Sequence, residues 1–169
     1  MQDDDDHAAQ SNGHPVVAGA RSERPVVLVA DDSPANRMVA FELLSRMGIK
    51  PLLAADGAEA VALAGEMPLS LILMDLQMPV LDGCAATWEI RQFEHQHARK
   101  RVPVVAYTSM DVAADRTLLR DIGFDAVLPK LGDAQAFRDC VTHWCAQTGA
   151  PALARDTVPA SRESRRAEA

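Results

Sequence analysis

Four apolar residues, Leu71-Ile72-Leu73-Met74, run without a break into one carboxylate, Asp75. A run this short and this apolar reads as a strand buried on both faces, the kind found in parallel α/β sheets. Met78-Pro79 and Asp82-Gly83 then force the chain to turn. Asp75 therefore stands at the carboxyl end of a central strand, where open α/β sheets bind their ligands. An acid in that place is a candidate nucleophile or metal ligand. Taken alone, it reads more simply as a cap on the following turn, and only the rest of the chain can reverse that.

The run is one of several. Val26-Val27-Leu28-Val29-Ala30 predicts a second buried strand, ending in Asp31-Asp32-Ser33-Pro34. Ser33 suits an N-cap and Pro34 the first helical position, so a helix follows to Met47 with Val39, Ala40, Leu43, Leu44 and Met47 on one face and Gly48 as its stop. Leu52-Leu53-Ala54 predicts a short strand. Asp56-Gly57 turns into a helix carrying Ala60, Val61 and Leu63 and ending near Met67-Pro68. After Gly83 a helix passes through Trp88, Ile90 and Phe93, and His95 to Arg101 reads as a solvated helix end and loop. Residues 102–107 predict a fourth strand that delivers Thr108-Ser109. A helix with Leu118, Leu119 and Ile122 stops at Gly123, and residues 124–128 lead as a fifth strand to Pro129-Lys130. Phe137, Cys140, Val141 and Trp144 mark the apolar face of a last helix.

Strand and helix thus alternate five times, which implies an α/β fold: a five-stranded parallel sheet with helices on both faces. Of the 169 residues, 48% are hydrophobic and only 4% aromatic, so the core is expected to be aliphatic. The folded domain is placed at residues 25–146. Residues 1–24, with Asp3-Asp4-Asp5-Asp6-His7, and residues 147–169 are too polar and small to offset the entropy of ordering and are expected to be disordered tails. The acidic run reads as solvated rather than metal-binding.

Of the formal charge of -7, residues 25–146 carry about -5, which argues against a nucleic-acid binder that works by neutralising phosphates. Cys84, Cys140 and Cys145 are odd in number and show no paired spacing, so neither a disulfide framework nor a zinc site is expected. No apolar stretch approaches the length of a membrane span, and the N-terminus lacks the pattern of a signal peptide. A cytoplasmic protein with no membrane partner is the expectation.

In a doubly wound sheet, Asp31 and Asp32, Asp75, Thr108 and Lys130 all come to one edge. Clustered carboxylates repel one another unless a cation compensates. Hard oxygen ligands suit Mg²⁺, and a lysine and a hydroxyl beside it would hold the oxygens of a transferring phosphoryl group. The remaining carboxylate can act as acceptor, so the pattern points to phosphoryl transfer onto Asp75.

Four pieces carry a family resemblance: Val29-Ala30-Asp31-Asp32-Ser33, Met74-Asp75-Leu76-Gln77-Met78-Pro79-Val80-Leu81-Asp82-Gly83, Val105-Ala106-Tyr107-Thr108-Ser109 and Leu128-Pro129-Lys130. Together they resemble the response-regulator receiver domain of two-component signalling, over residues 25 to 146. The stretch Asp32-Ser33-Pro34-Ala35-Asn36-Arg37 is most similar to receivers that belong to, or work with, hybrid histidine kinases. The resemblance implies a flavodoxin-like (βα)5 fold with Asp75 as phosphoacceptor. Asp32 would bind Mg²⁺ directly, Asp31 mostly through water, and the backbone carbonyl of Gln77 would be a further ligand. Thr108 would bond the phosphoryl group and move with it, and Lys130 would pair with its oxygens. The donor would be a sensor histidine kinase or a histidine phosphotransfer protein. With only about twenty residues, largely polar and small, after the last helix, a stand-alone receiver is expected, one that signals to a downstream protein target or relays phosphate and is a phosphoacceptor rather than an enzyme.

Two positions depart from the family. Leu131 follows Lys130 where a cis-linked Pro is usual; a cis bond to a non-proline costs roughly 2.5–4 kcal/mol, so a trans bond or a reshaped loop is expected. Val127 stands where the family has an inward-swinging Tyr or Phe. Tyr107 either replaces that aromatic in part or is a packed strand residue. Family members also dimerise through the face of the fourth helix, fifth strand and fifth helix. A homodimer is thus one expectation, although Val127 beneath that face counts against assuming this mode. Gln77 and Met110 flank the path of hydrolytic water, and the apolar Met110 predicts slow autodephosphorylation. Two other readings compete. An aspartate-nucleophile phosphatase would carry a second Asp where Gln77 stands, and a phosphate-independent interaction module would have no need of the five site residues.

Overall fold

The computed structural model describes residues 24–109 and 115–149. Met110, with its expected effect on hydrolytic water, and nearly all of both expected tails lie outside the described residues. Five strands alternate with five helices: β1 (Val27–Ala30), α1 (Pro34–Arg46), β2 (Leu52–Ala54), α2 (Gly57–Glu66), β3 (Leu71–Met74), α3 (Gly83–Gln96), β4 (Val104–Thr108), α4 (Arg116–Ile122), β5 (Ala126–Pro129) and α5 (Ala134–Gln147). The last helix thus runs one residue beyond the expected domain end.

The strands pair in the order β2-β1-β3-β4-β5, all parallel. The chain winds from β1 outward to β2, then returns past β1 to β3. That reversal is a topological switch point, and it opens a crevice at the carboxyl ends of β1 and β3. Their last residues, Ala30 and Met74, stand opposite each other. The next residues are Asp31 and Asp75.

The unbroken apolar runs are explained by burial on both faces, since successive side chains in a strand alternate sides. Leu28, Ala30, Ile72, Met74, Val104 and Ala106 pack with Ala60 of α2, Ala86 and Ile90 of α3 and Leu119 of α4. Val27, Val29, Leu71, Leu73, Val105, Tyr107 and Leu128 pack with Ala40 and Leu44 of α1 and Phe137, Val141 and Cys145 of α5. The core is aliphatic, as expected from composition, and Tyr107 is a packed strand residue. Val127 is half-buried against the α2–α4 side.

Side-chain caps start four of the helices. Ser33, Asp56, Asp82 and Asp133 each accept from a backbone N–H of the first turn. Gly83, the first residue of α3, has a further duty: a Cβ there would lie 1.9 Å from the Asp75 carbonyl oxygen. Only a glycine lets α3 begin this close behind the end of β3.

Two details differ from the expectation. Val39, placed on the apolar face of α1, is 53% exposed, because the stripe that reaches the sheet is a narrow one formed by Ala40, Leu44 and Met47 with Leu43 half-buried beside them. Trp88 and Leu118 point largely to solvent while Ile90 and Leu119, on the sheet-facing sides of α3 and α4, are buried. Residues 95–101 are all exposed, as expected for a solvated helix end and loop, and from there the 53% exposed Arg101 pairs with Asp125, whose carboxylate is also gripped by Arg91.

Candidate functional site

Backbone ladder bonds continue one residue past the strands and fix the roots of the site's side chains. Asp31 N–H donates to Ala54 O at 3.1 Å, Asp75 N–H to Ala30 O at 2.9 Å, and Lys130 N–H to Thr108 O at 3.0 Å. The side chains that follow are therefore held by the sheet rather than by a loop. Asp31 is fully buried, and Asp75 and Thr108 nearly so, while Asp32 and Gln77 face solvent.

Lys130 reaches back across the crevice. Its Nζ donates to Asp75 Oδ2 at 2.6 Å and lies 2.6 Å from Asp31 Oδ2. Asp31 Oδ1 accepts from Ser33 N–H at 2.9 Å and from Asn36 Nδ2 at 3.1 Å. Asp31 Oδ2 has the ammonium close by but no contact of hydrogen-bonding geometry. The one ammonium must therefore compensate two buried carboxylates at once, which replaces only part of the hydration they lose. Among the described residues, Asp75 Oδ1 accepts a single long bond, 3.4 Å, from Gln77 N–H.

Asp31, Asp32 and Asp75 each offer an oxygen within 4.8 Å of the others. Three carboxylates around one ammonium leave the pocket short of positive charge. An all-oxygen donor set with an unsatisfied buried member fits a hard divalent cation. Below the pocket, Tyr107 lies 3% exposed, and burial together with the nearby Asp31 carboxylate pushes its phenol up from the ordinary range. The Cys84 thiol, at the start of α3, is likewise pushed up by burial and by Asp82.

All six residues singled out from the sequence thus stand at the carboxyl edge of the sheet, and Asp31 and Asp75 meet Lys130 with Asp32 beside them. Lys130 begins a turn in which Gly132 N–H donates to Pro129 O at 3.2 Å, and Leu131 projects from it 92% exposed.

The model of the response regulator receiver domain matches residues 27–142. The chain belongs to that family. Its fold is the receiver's flavodoxin-like fold, and receivers are phosphoacceptors of two-component signalling. The sensor histidine kinase GacS of Pseudomonas protegens is 35% identical over 123 residues, covering 73% of this receiver and 13% of the kinase. The receiver therefore spans about an eighth of that relative's length. Among solved structures, the receiver domain of a sensor histidine kinase from Pseudomonas aeruginosa superposes with a TM-score of 0.65 at 32% identity, covering 73% of this chain and 99% of that one; it holds a magnesium ion in its active-site cleft. A co-crystal of the Saccharomyces cerevisiae histidine phosphotransfer protein Ypd1 with the receiver domain of its response regulator Ssk1 matches at a TM-score of 0.69 and 32% identity, covering 74% of this chain and 92% of that one.

Sequence reasoning missed the residues that hold this receiver's acids in place. Arg37 donates from Nη1 to the carbonyls of Asp31, at 2.6 Å, and Asp32, at 3.1 Å, and Asn36 braces the Asp31 side chain. The signal was present as spacing: Asn36 and Arg37 fall in the first turn of α1, beside its N-terminus, where their side chains can fold back over the loop that starts it. Arg91, Glu94 and Asp125 were missed for a different reason. They belong to the far edge of the sheet, and nothing in an i, i+3 charged pair on a helix distinguishes a buried position from a solvated one.

Proposed function

We propose that this receiver accepts a phosphoryl group on Asp75 from the phosphohistidine of a sensor histidine kinase or a histidine phosphotransfer protein, in the presence of Mg²⁺. The observation that carries the reading is the charge-deficient pocket, in which buried Asp31 Oδ2 lacks a hydrogen bond beside an ammonium shared with Asp75. The magnesium in the Pseudomonas aeruginosa receiver and the phosphotransfer partner in the yeast complex support it.

Asp31, Asp32 and Asp75, with the backbone carbonyl of Gln77, would hold the cation. When bound, it supplies the positive charge that lets a phosphoryl group approach three carboxylates. An Asp75 carboxylate oxygen attacks phosphorus as the P–N bond to the donor imidazole breaks; the bonding pair leaves with the imidazole nitrogen. Lys130 then exchanges its carboxylate contacts for the phosphoryl oxygens, and the Thr108 hydroxyl donates to one of them. Asp75 is consumed once per transfer, so the receiver is a phosphoacceptor and switch rather than a turnover enzyme, passing its signal to a protein target or a further histidine. A cytoplasmic setting follows from such donors. No helix among the described residues is long and apolar enough to cross a membrane.

Intact mass after incubation with acetyl phosphate and Mg²⁺ tests the reading. One base-labile phosphoryl group is expected on the wild type and none on Asp75→Ala or without Mg²⁺. An adduct that survives in Asp75→Ala would move the acceptor elsewhere; no adduct together with undetectable Mg²⁺ binding would leave a phosphate-independent interaction module as the better account.

A further inference from the structure

Lys130 has a third neighbour besides the two carboxylates. Its Nζ lies 5.9 Å from the centroid of the Tyr107 ring. Tyr107 is in β4, paired with Leu128 of β5, two residues before Lys130. Its ring is braced edge-on by Phe137 of α5, with centroids 5.7 Å apart and planes at 68°. The ring is 3% exposed, so water screens its contact with the ammonium little. On the other side of Lys130, Leu131 is 92% exposed.

We propose that Tyr107 is a positioning residue for Lys130, its Phe137-braced ring holding the ammonium at the mouth of the pocket while Lys130 exchanges carboxylate for phosphoryl contacts. The proposal rests on the reading of Asp75 as phosphoacceptor. Of the three neighbours, the ring alone carries no formal charge. Asp31 and Asp75 lose their hold on Lys130 when a cation takes up their charge, whereas the attraction of a ring face does not depend on either carboxylate. An aliphatic side chain at 107 would keep the position apolar but offer the ammonium no ring face.

The test compares wild type, Tyr107→Phe and Tyr107→Leu. Phosphorylation of Asp75 by acetyl phosphate is followed over a range of donor and Mg²⁺ concentrations, with thermal midpoints for all three. Tyr107→Leu is expected to lower the maximal rate about tenfold and to leave both half-saturating concentrations unchanged, while Tyr107→Phe, which keeps the ring, stays within about twofold of wild type. A wild-type rate in Tyr107→Leu, or equal losses in Tyr107→Phe and Tyr107→Leu, overturns the proposal. Because Tyr107 is the chain's single tyrosine, its ring resonances can be followed without assignment. They are expected to shift in Lys130→Met without any phosphodonor, and an unmoved ring also overturns the proposal, even where Tyr107→Leu fails to fold. Should wild type take no phosphate, the acceptor reading falls by itself and the ring shift decides the contact.

Discussion

At the carboxyl edge of the sheet, Asp31 and Asp75 share a single ammonium, that of Lys130, with the Asp32 carboxylate beside them. At the opposite edge, Glu94 and Asp125 share two guanidiniums, Arg91 and Arg101. The second cluster is closed. Arg91 donates to Glu94, Asp125, the Val102 carbonyl and the Gly123 carbonyl; Glu94 and Asp125 in turn accept from the N–H groups of Val102 and Val104. Its charges balance, and it ties α3 to the starts of β4 and β5. The first cluster has the same ingredients in the wrong proportion and leaves a buried carboxylate oxygen without a hydrogen bond. Two buried ion clusters of one protein thus differ in a way that separates holding a fold from awaiting a ligand. A structural cluster is complete within the chain, and a site that must take up a cation and a phosphoryl group is not.

The comparison breaks most visibly at the closed cluster. Arg91 is 9% exposed, as is Glu94, so Arg91→Met leaves Glu94 and the Val102 carbonyl without their guanidinium, and leaves Asp125 and the Gly123 carbonyl to the more exposed Arg101 alone. Removing one partner of a buried pair costs roughly 3–5 kcal/mol. Urea denaturation should show a loss of that size, with the Mg²⁺ response of the other edge intact. A loss under about 1 kcal/mol would mean that solvent already screens the cluster and that the contrast between the edges is false.

The open cluster should respond to metal rather than to mutation of a scaffold. At a free Mg²⁺ concentration ten times its dissociation constant, wild type is expected to gain about 1.4 kcal/mol of stability. Asp31→Asn should lose that gain, because it removes a ligand charge from the buried centre of the pocket. Denaturation with and without Mg²⁺ measures both. An equal gain in wild type and Asp31→Asn would place the ion outside the three carboxylates.

The same contrast explains what could be read from the sequence. Five strands, five helices, their order and the residues of the carboxyl edge were legible, because apolar runs ending in Asp31, Asp75, Thr108 and Lys130 carry both the strand signal and the chemistry. The opposite edge was invisible. Arg91 and Glu94 look like a surface i, i+3 pair; their burial, and the reach of the exposed Arg101 to Asp125, arise only when α3 is laid against the chain entering β4 and β5. Val39 and Trp88 failed for the converse reason, since an apolar residue off a narrow helical stripe meets solvent whatever its hydrophobicity. The ring of Tyr107 beneath Lys130 needed the β4–β5 register, which no local pattern supplies.

Helix α5 shows a third way to bury ionisable groups, which is to keep them neutral. Burial pushes the Cys145 thiol up from 9.0 to about 12, aided by nearby Cys140. The folded pKa is raised, so this thiol's contribution is fully present below about pH 9, where both states keep the proton. It is lost as pH rises from 9 towards 12, because the unfolded chain releases the proton first. For one fully buried thiol the loss between pH 9 and 10 is about 1 kcal/mol. Stability measured at the two values should fall less in Cys145→Ala than in wild type by about that amount. Equal slopes would show that the thiol ionises as readily inside as out, and that α5 shields it less than its 1% exposure implies.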